Sequence, residues 1–135
     1  MKLKYSIIIP VYNRPQEIEE LLQSLTEQSY AQNFEIIIVE DGSSLMANEI
    51  VSKYVNTLNI NYFFKENSGA GDSRNFGMQQ AAENYFIIFD SDCIIPAHYL
   101  EEVDKALNQN FTDAFGGADA AHESFTNIQK AINYS

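Results

Sequence analysis

Two aspartates one residue apart, Asp90 and Asp92, end an apolar run in FIIFDSDC, residues 86–93. Carboxylates at positions i and i+2 behind a strand can converge on one hard cation through oxygen ligands. Without a cation they repel, and one of them resists ionisation. The same residues suit a solvated turn, because Asp and Ser are good turn formers. A lone Asp-x-Asp leaves both readings open.

A second candidate is the glycine-bearing stretch NSGAGDSRNFG, residues 67–77. Such a loop could offer backbone amides and a helix N-terminus to phosphate. It is not a dinucleotide fingerprint, since Arg74 stands where the third glycine belongs, and no Gly-Lys-Ser/Thr follows. The plainer reading is a strand-to-helix turn capped by Asp72 or Ser73. The chain's two arginines, Arg14 and Arg74, both fall in expected loops. Guanidinium groups grip phosphate and carboxylate bidentately. Tyr12, just past the first apolar run, offers an aromatic face to a base or packs at a strand end. Glu40-Asp41-Gly42-Ser43 could bond a base or ribose through Asp41. Equally, it suits an Asp-Gly turn with Ser43 or Ser44 as helix cap.

Other reactive types carry less. His98 and His122 have no metal-ligand spacing with Cys93 or with each other, so a structural role is expected. Cys93 reads as a small buried filler, with no basic group placed to lower its pKa. No Ser-His-Asp arrangement can be argued. Glu17, Glu19 and Glu20 read as the solvated face of the first helix.

The elements that must position these residues alternate. Residues 5–10 and 34–39 are continuous β-branched runs, as expected for strands covered on both faces. Pro15 opens a helix carrying Ile18, Leu21, Leu22 and Leu25. A second helix is expected within 45–58, a third strand at 60–64 and a helical stretch at 78–83. A fourth strand follows at 85–89. Pro96 opens a helix to about 108, and 111–115 suits a fifth strand. Strand-helix alternation predicts an α/β fold with a mainly parallel sheet and helices on both faces. Ligands then bind outside the carboxyl ends of the strands. That rule sends Asn13 and Arg14, Glu40 and Asp41, and Asp90 and Asp92 to one edge.

The 135 residues suit one domain. The formal charge of -11 argues against nucleic acid and against an anionic membrane surface. A small anionic ligand would need help from a metal or backbone amides. The single cysteine excludes an internal disulfide and fits a reducing compartment. No segment reaches membrane-span length. The chain reads as cytoplasmic, with membrane association left to regions outside it. HESFTNIQKAINYS has a helix-like pattern at most, which suggests the N-terminal part of a longer protein.

Four motifs in order, SIIIPVYNR, FEIIIVEDGSS, NSGAGDSRNFG and YFIIFDSDC, resemble the family-2 glycosyltransferases of the GT-A fold. The resemblance covers about residues 3–117. It implies a GT-A (nucleotide-diphospho-sugar transferase) fold, incomplete at the C-terminus, and a nucleotide-sugar donor, most often a UDP-sugar. Pro10, Val11 and Tyr12 would line the base pocket, with Asn13 beside them. Asp41 would bond the uracil edge next to Glu40. Arg74 would approach the diphosphate or sugar. Asp90 and Ser91 would adjoin the ribose or metal shell, and Asp92 would ligate Mg²⁺ or Mn²⁺. The family commonly has two carboxylates near position 40, where this chain has the longer Glu40 first. Cys93 replaces an acid often found after Asp-x-Asp, which leaves Asp92 as the direct metal ligand with Asp90 beside it. The catalytic base of inverting members is expected beyond Ser135, so none is named. This segment alone is expected to bind donor weakly and to transfer sugar poorly. The acceptor, saccharide or lipid-linked, is not readable. Two other readings stand beside this one. A sugar-nucleotidyltransferase would need a glycine- and lysine-rich loop where PVYNRPQE stands. A non-catalytic binding module has no need of Tyr12, Asp41, Arg74, Asp90 and Asp92 together.

Overall fold

The β-branched runs form strands and the amphipathic stretches between them form helices. In the computed structural model, which describes residues 4–109, the order is β1 (Tyr5–Val11), α1 (Pro15–Thr26), β2 (Glu35–Asp41), α2 (Asn48–Ser52), β3 (Asn59–Lys65), α3 (Ala70–Gln80), β4 (Tyr85–Ile88) and α4 (Tyr99–Gln109). All strand pairs are parallel, in the order β3-β2-β1-β4. Ile8 at the centre of β1 pairs with Ile37 on one side and Ile88 on the other.

Alternation along each strand divides the core in two. Ile7, Ile9, Ile36, Ile38, Ile87 and Phe89 pack with Leu21 and Leu22 of α1 and Leu100 and Val103 of α4. On the opposite face Ile8, Ile37 and Val39 pack with Phe63, Phe76, Met78 and Ile88, under α3. Helices therefore cover both faces, and β1 and β2 are buried throughout. Each fully buried isoleucine contributes about 1.5–3 kcal/mol, so this double-sided core is what fixes the strand ends. Gly77 lets α3 lie close to the sheet, because a Cβ there would stand 2.5 Å from Ile8 Cγ2.

Several expected boundaries move. The helix after β3 starts at Ala70, inside the glycine stretch, and ends at Gln80 rather than 83. Gly71, Asp72, Ser73 and Arg74 are thus helical. Gly69 is the N-cap, in place of the expected Asp72 or Ser73. Its φ of +102° suits glycine. Ser73 is fully buried instead, and its Oγ has no partner among the described residues. The helix expected across 45–58 is only five residues, followed by turns. Pro96 precedes α4 by a turn, with its carbonyl accepting from Tyr99 N. The fifth strand and the C-terminal helical pattern lie outside the described residues.

Candidate functional site

Parallel strands place all their carboxyl ends on one edge, and a cavity of about 400 Å³ opens there. Pro10, Val11, Tyr12, Asp41, Asp90, Ser91 and Asp92 line it, together with Arg14, Glu17 and Ala70. Asn13, Glu40 and Arg74 are not in its lining. Tyr12 is half-exposed where it lines the cavity.

Asp41, at the end of β2, is buried and heavily bonded. Its Oδ1 accepts from Lys65 Nζ at 2.8 Å and from Ser68 N at 2.9 Å. Its Oδ2 accepts from Gly69 N at 3.0 Å and faces Asn67 Nδ2 at 3.4 Å. Burial alone would push this carboxyl up. Lys65 and the two backbone N–H groups outweigh that and hold it below the usual carboxylate range. Asp41 is therefore an ionised anchor that fixes the N-terminus of α3 beside the cavity. The long contact to Asn67 marks the acceptor position a ligand N–H could most readily take. Gly42 makes the approach possible, since its φ is +70° and a Cβ would lie 2.5 Å from Asn67 N.

Asn13 and Glu40 work behind the cavity wall. Asn13, in the left-handed region at φ 54°, accepts through Oδ1 from Ser44 N and Leu45 N, both at 2.9 Å. Its own N–H donates to Ser43 Oγ at 2.8 Å. Asn tolerates this backbone better than most residues. Glu40 is fully buried, accepting from Tyr62 Oη and Ala47 N at 2.8 Å each, and from Ser43 Oγ. The two residues tie the β1–α1 and β2–α2 loops into one rim.

At the other end of the cavity, Phe89 N makes the last ladder bond, to Ile8 O. The Asp90–Asp92 turn hangs beyond it. Burial, then the Asp92 charge, push the Asp90 carboxyl up to about 6, while Arg74 pulls it partly back. Arg74 thus acts on the site from the first turns of α3, one wall away. Its Nη1 is buried with no partner among the described residues. Cys93 is buried, and burial followed by the Asp92 charge pushes its thiol up to about 11. That agrees with a filler and not a nucleophile. His98 bonds Ser29 and lies near Glu101, and it does not line the cavity.

Glu17 was expected to face solvent, yet it lines the cavity and accepts from Ser91 Oγ at 3.0 Å. The signal was present: Pro15 fixes the helix start, and side chains in a first turn lean back towards the N-terminus. Lys65 was also missed, and although Asn67 and Ala70 stood in the glycine-bearing candidate stretch, nothing in the spacing shows that the 66–69 segment folds over Asp41.

The acidic pair gives a pH test. The folded carboxyl of Asp90 sits above its unfolded value of about 3.9, so the stability that Asp90 contributes falls as pH rises from about 4 through 6. Asp90→Asn carries no such loss. It is expected to be more stable than wild type at pH 7 by on the order of 1 kcal/mol after solvent screening. The gain should vanish at pH 4, as read by urea denaturation.

The described residues contain no group of three His, Cys, Asp or Glu side chains able to hold a metal alone. Two oxygen-donor carboxylates at a mouth that disfavours ionising both still suit a divalent ion that completes its shell from outside the protein.

The sequence model of glycosyl transferase family 2 matches residues 6–134. The chain belongs to glycosyl transferase family 2. Poly(ribitol-phosphate) beta-N-acetylglucosaminyltransferase TarS of Staphylococcus aureus is 33% identical over 114 residues, 82% of this chain and 20% of TarS. A glycosyltransferase of Haemophilus influenzae is 33% identical over 132 residues, 94% of this chain and 44% of its own. The crystal structure of S. aureus TarS 1-349 in complex with UDP-GlcNAc matches with a TM-score of 0.78 at 31% identity, covering 92% of this chain and 38% of that one. A mannosyltransferase of Pyrobaculum calidifontis, solved with GDP-Man and Mn²⁺, shares the fold at a TM-score of 0.69 and 24% identity, over 79% of this chain and 32% of its own. This family 2 chain has the GT-A fold and spans less than half the length of each of these relatives. Among the described residues no helix is long and apolar enough to cross a membrane.

Proposed function

We propose that this chain is the donor-binding part of an inverting glycosyltransferase that takes its sugar from a nucleoside diphosphate, a UDP-sugar, with a divalent cation. One observation carries the reading. A single cavity holds an aromatic face and an anchored carboxylate at one end, Tyr12 and Asp41, and the Asp90–Asp92 pair at the other. The likeness to TarS, whose structures hold UDP and UDP-GlcNAc, supports a uridine donor.

Tyr12 stacks on the base, and Asp41 accepts its N–H at the position Asn67 now approaches. Pro10 and Val11 form the apolar floor beneath it. Asp92, with Asp90 beside it, would hold Mn²⁺ or Mg²⁺. Bound there, the cation would supply Lewis-acid neutralisation of charge developing on the leaving diphosphate. Arg74 adds positive potential behind Asp90. Arg14, exposed at the rim and only loosely paired with Glu17, can turn to meet a phosphate. These two arginines offset part of the site's negative charge, which would otherwise repel the donor. No general base is assigned among the described residues, and the acceptor stays unassigned.

Calorimetric titration of UDP into the chain, with and without Mn²⁺, tests this. We expect binding that tightens by about tenfold or more with the metal, a difference of about 1.4 kcal/mol per decade. Failure to bind under either condition overturns the donor site. Binding indifferent to Mn²⁺ keeps the base end and rejects the metal assignment.

A further inference from the structure

Beyond Phe89 the sheet no longer supports the chain, and residues 90–92 depend on few tethers. The Cys93 N–H closes the turn onto Asp90 O at 3.2 Å, and the Cys93 side chain is buried in the core. Among the described residues, Ser91 is the one of the three whose side chain bonds another element. Its Oγ–H donates to Glu17 Oε1 at 3.0 Å, in the first turn of α1. Glu17 is reached directly from the loop that carries Tyr12, and it lies 3.7 Å from Arg14 Nε.

We propose that Glu17 is a positioning residue for the Asp90–Asp92 pair, holding the Asp-Ser-Asp turn through Ser91 and joining it to the loop that carries Tyr12. This rests on the donor-site reading above and adds to it a residue on α1. The chemistry favours a carboxylate acceptor here. A carboxylate oxygen is a stronger acceptor than a neutral one, and at 3.0 Å this bond lies at the long end of the hydroxyl range. A side chain with one donor, such as serine, is then held in one rotamer, and its backbone with it. Glu17 acts through Ser91 and not as a third ligand, because no three such groups among the described residues could share an ion. Its charge still faces the same mouth as Asp90 and Asp92. Three carboxylates around one opening repel in the empty protein and attract a cation. Arg14 is largely exposed and its pairing with Glu17 is long, so it restrains Glu17 little. The Ser91 bond is the stronger link.

The test uses Glu17→Ala, Glu17→Gln, Ser91→Ala and the double alanine variant, with two readouts. One is the Mn²⁺ concentration that gives half of the metal-dependent gain in UDP binding. The other is amide hydrogen exchange at Cys93, which reports opening of the turn and needs neither metal nor donor. Glu17→Ala and Ser91→Ala are each expected to raise the Mn²⁺ midpoint about tenfold, as losses of supporting contacts around a metal do. Both should speed exchange at Cys93. The double variant should be no worse than about twofold beyond either single one, because both remove the same bond. Glu17→Gln keeps a carbonyl acceptor and should stay within about threefold of wild type. Unchanged midpoint and exchange in the alanine variants overturn the proposal. So does an additive double variant, or a Glu17→Gln as impaired as Glu17→Ala. Metal-free UDP affinity falling by the same factor as the metal-dependent affinity would show a general folding role, and also overturns it. If wild type itself shows no Mn²⁺ dependence, the metal assignment fails, and exchange at Cys93 alone decides whether Glu17 holds the turn.

Discussion

Replacing Asp92 by asparagine is expected to abolish the metal-dependent gain in UDP binding, a loss of about tenfold or more. Metal-free binding should stay close to wild type. The argument is one of charge and exposure. Asp92 is exposed at the cavity mouth, so the amide brings no packing cost. It does replace an anionic oxygen ligand by a neutral one, which a hard cation holds less well. The change also removes the like charge beside Asp90, whose carboxyl is pushed up by burial and by Asp92. Asp90 should then ionise at lower pH, and the variant should be slightly more stable than wild type at neutral pH without metal. Titrations of UDP at several Mn²⁺ concentrations read the first effect, and urea denaturation the second. Metal dependence surviving intact in Asp92→Asn would remove this residue from the site.

The largest expected loss of stability comes from Gly42→Ala. Two costs combine. The backbone at Gly42 has φ +70°, where an L side chain costs about 1–2 kcal/mol. The new Cβ would also stand 2.5 Å from Asn67 N and 2.9 Å from Asn67 Cβ. Backbone cannot yield as a flexible side-chain tip can, and overpacking of this kind costs about 1–3 kcal/mol. The sum is about 2–5 kcal/mol, a large part of the stability of a small domain. Relief would come by moving the 66–69 segment off Asp41. UDP affinity should therefore fall together with stability. Urea denaturation and UDP titration on the same sample check the pair. A variant of wild-type stability would show that the segment over Asp41 is loosely held, against the dense bonding seen there.

The contrast between Asp92 and Gly42 reflects what each kind of residue discloses. Asp92 announces itself, because a carboxylate at the end of an apolar strand has few bland explanations once three other strand-end motifs precede it. Gly42 looks like an ordinary turn glycine until Asn67, 25 positions later, is seen against it. Glu40 shows the same limit from the other side. Its type and place beside Asp41 suggested a ligand contact, but Tyr62 from the neighbouring strand, Ser43 and Ala47 occupy its oxygens. The glycine stretch misled for a local reason. Two glycines in three residues argue for a loop, yet tertiary contact outweighs the roughly 1 kcal/mol that a helical glycine costs. Ser73 and Gly77 turn inward against the sheet, and Asp41 holds the helix start.

Sequence alone determined the alternation of strands and helices, the parallel sheet, and the edge where the polar residues gather. These follow from periodicity and from the rule that parallel strands share one carboxyl end. It also determined the family, since four motifs in order are improbable by chance. The tertiary structure decided which polar residues face the cavity and which face the chain. It gave Asn13 and Glu40 to the rim, anchored Asp41 with Lys65 and the 68–69 amides, and brought Glu17 to Ser91. Most of those choices depend on contacts between residues 22 to 74 positions apart, and no local pattern records which partner a carboxylate will find.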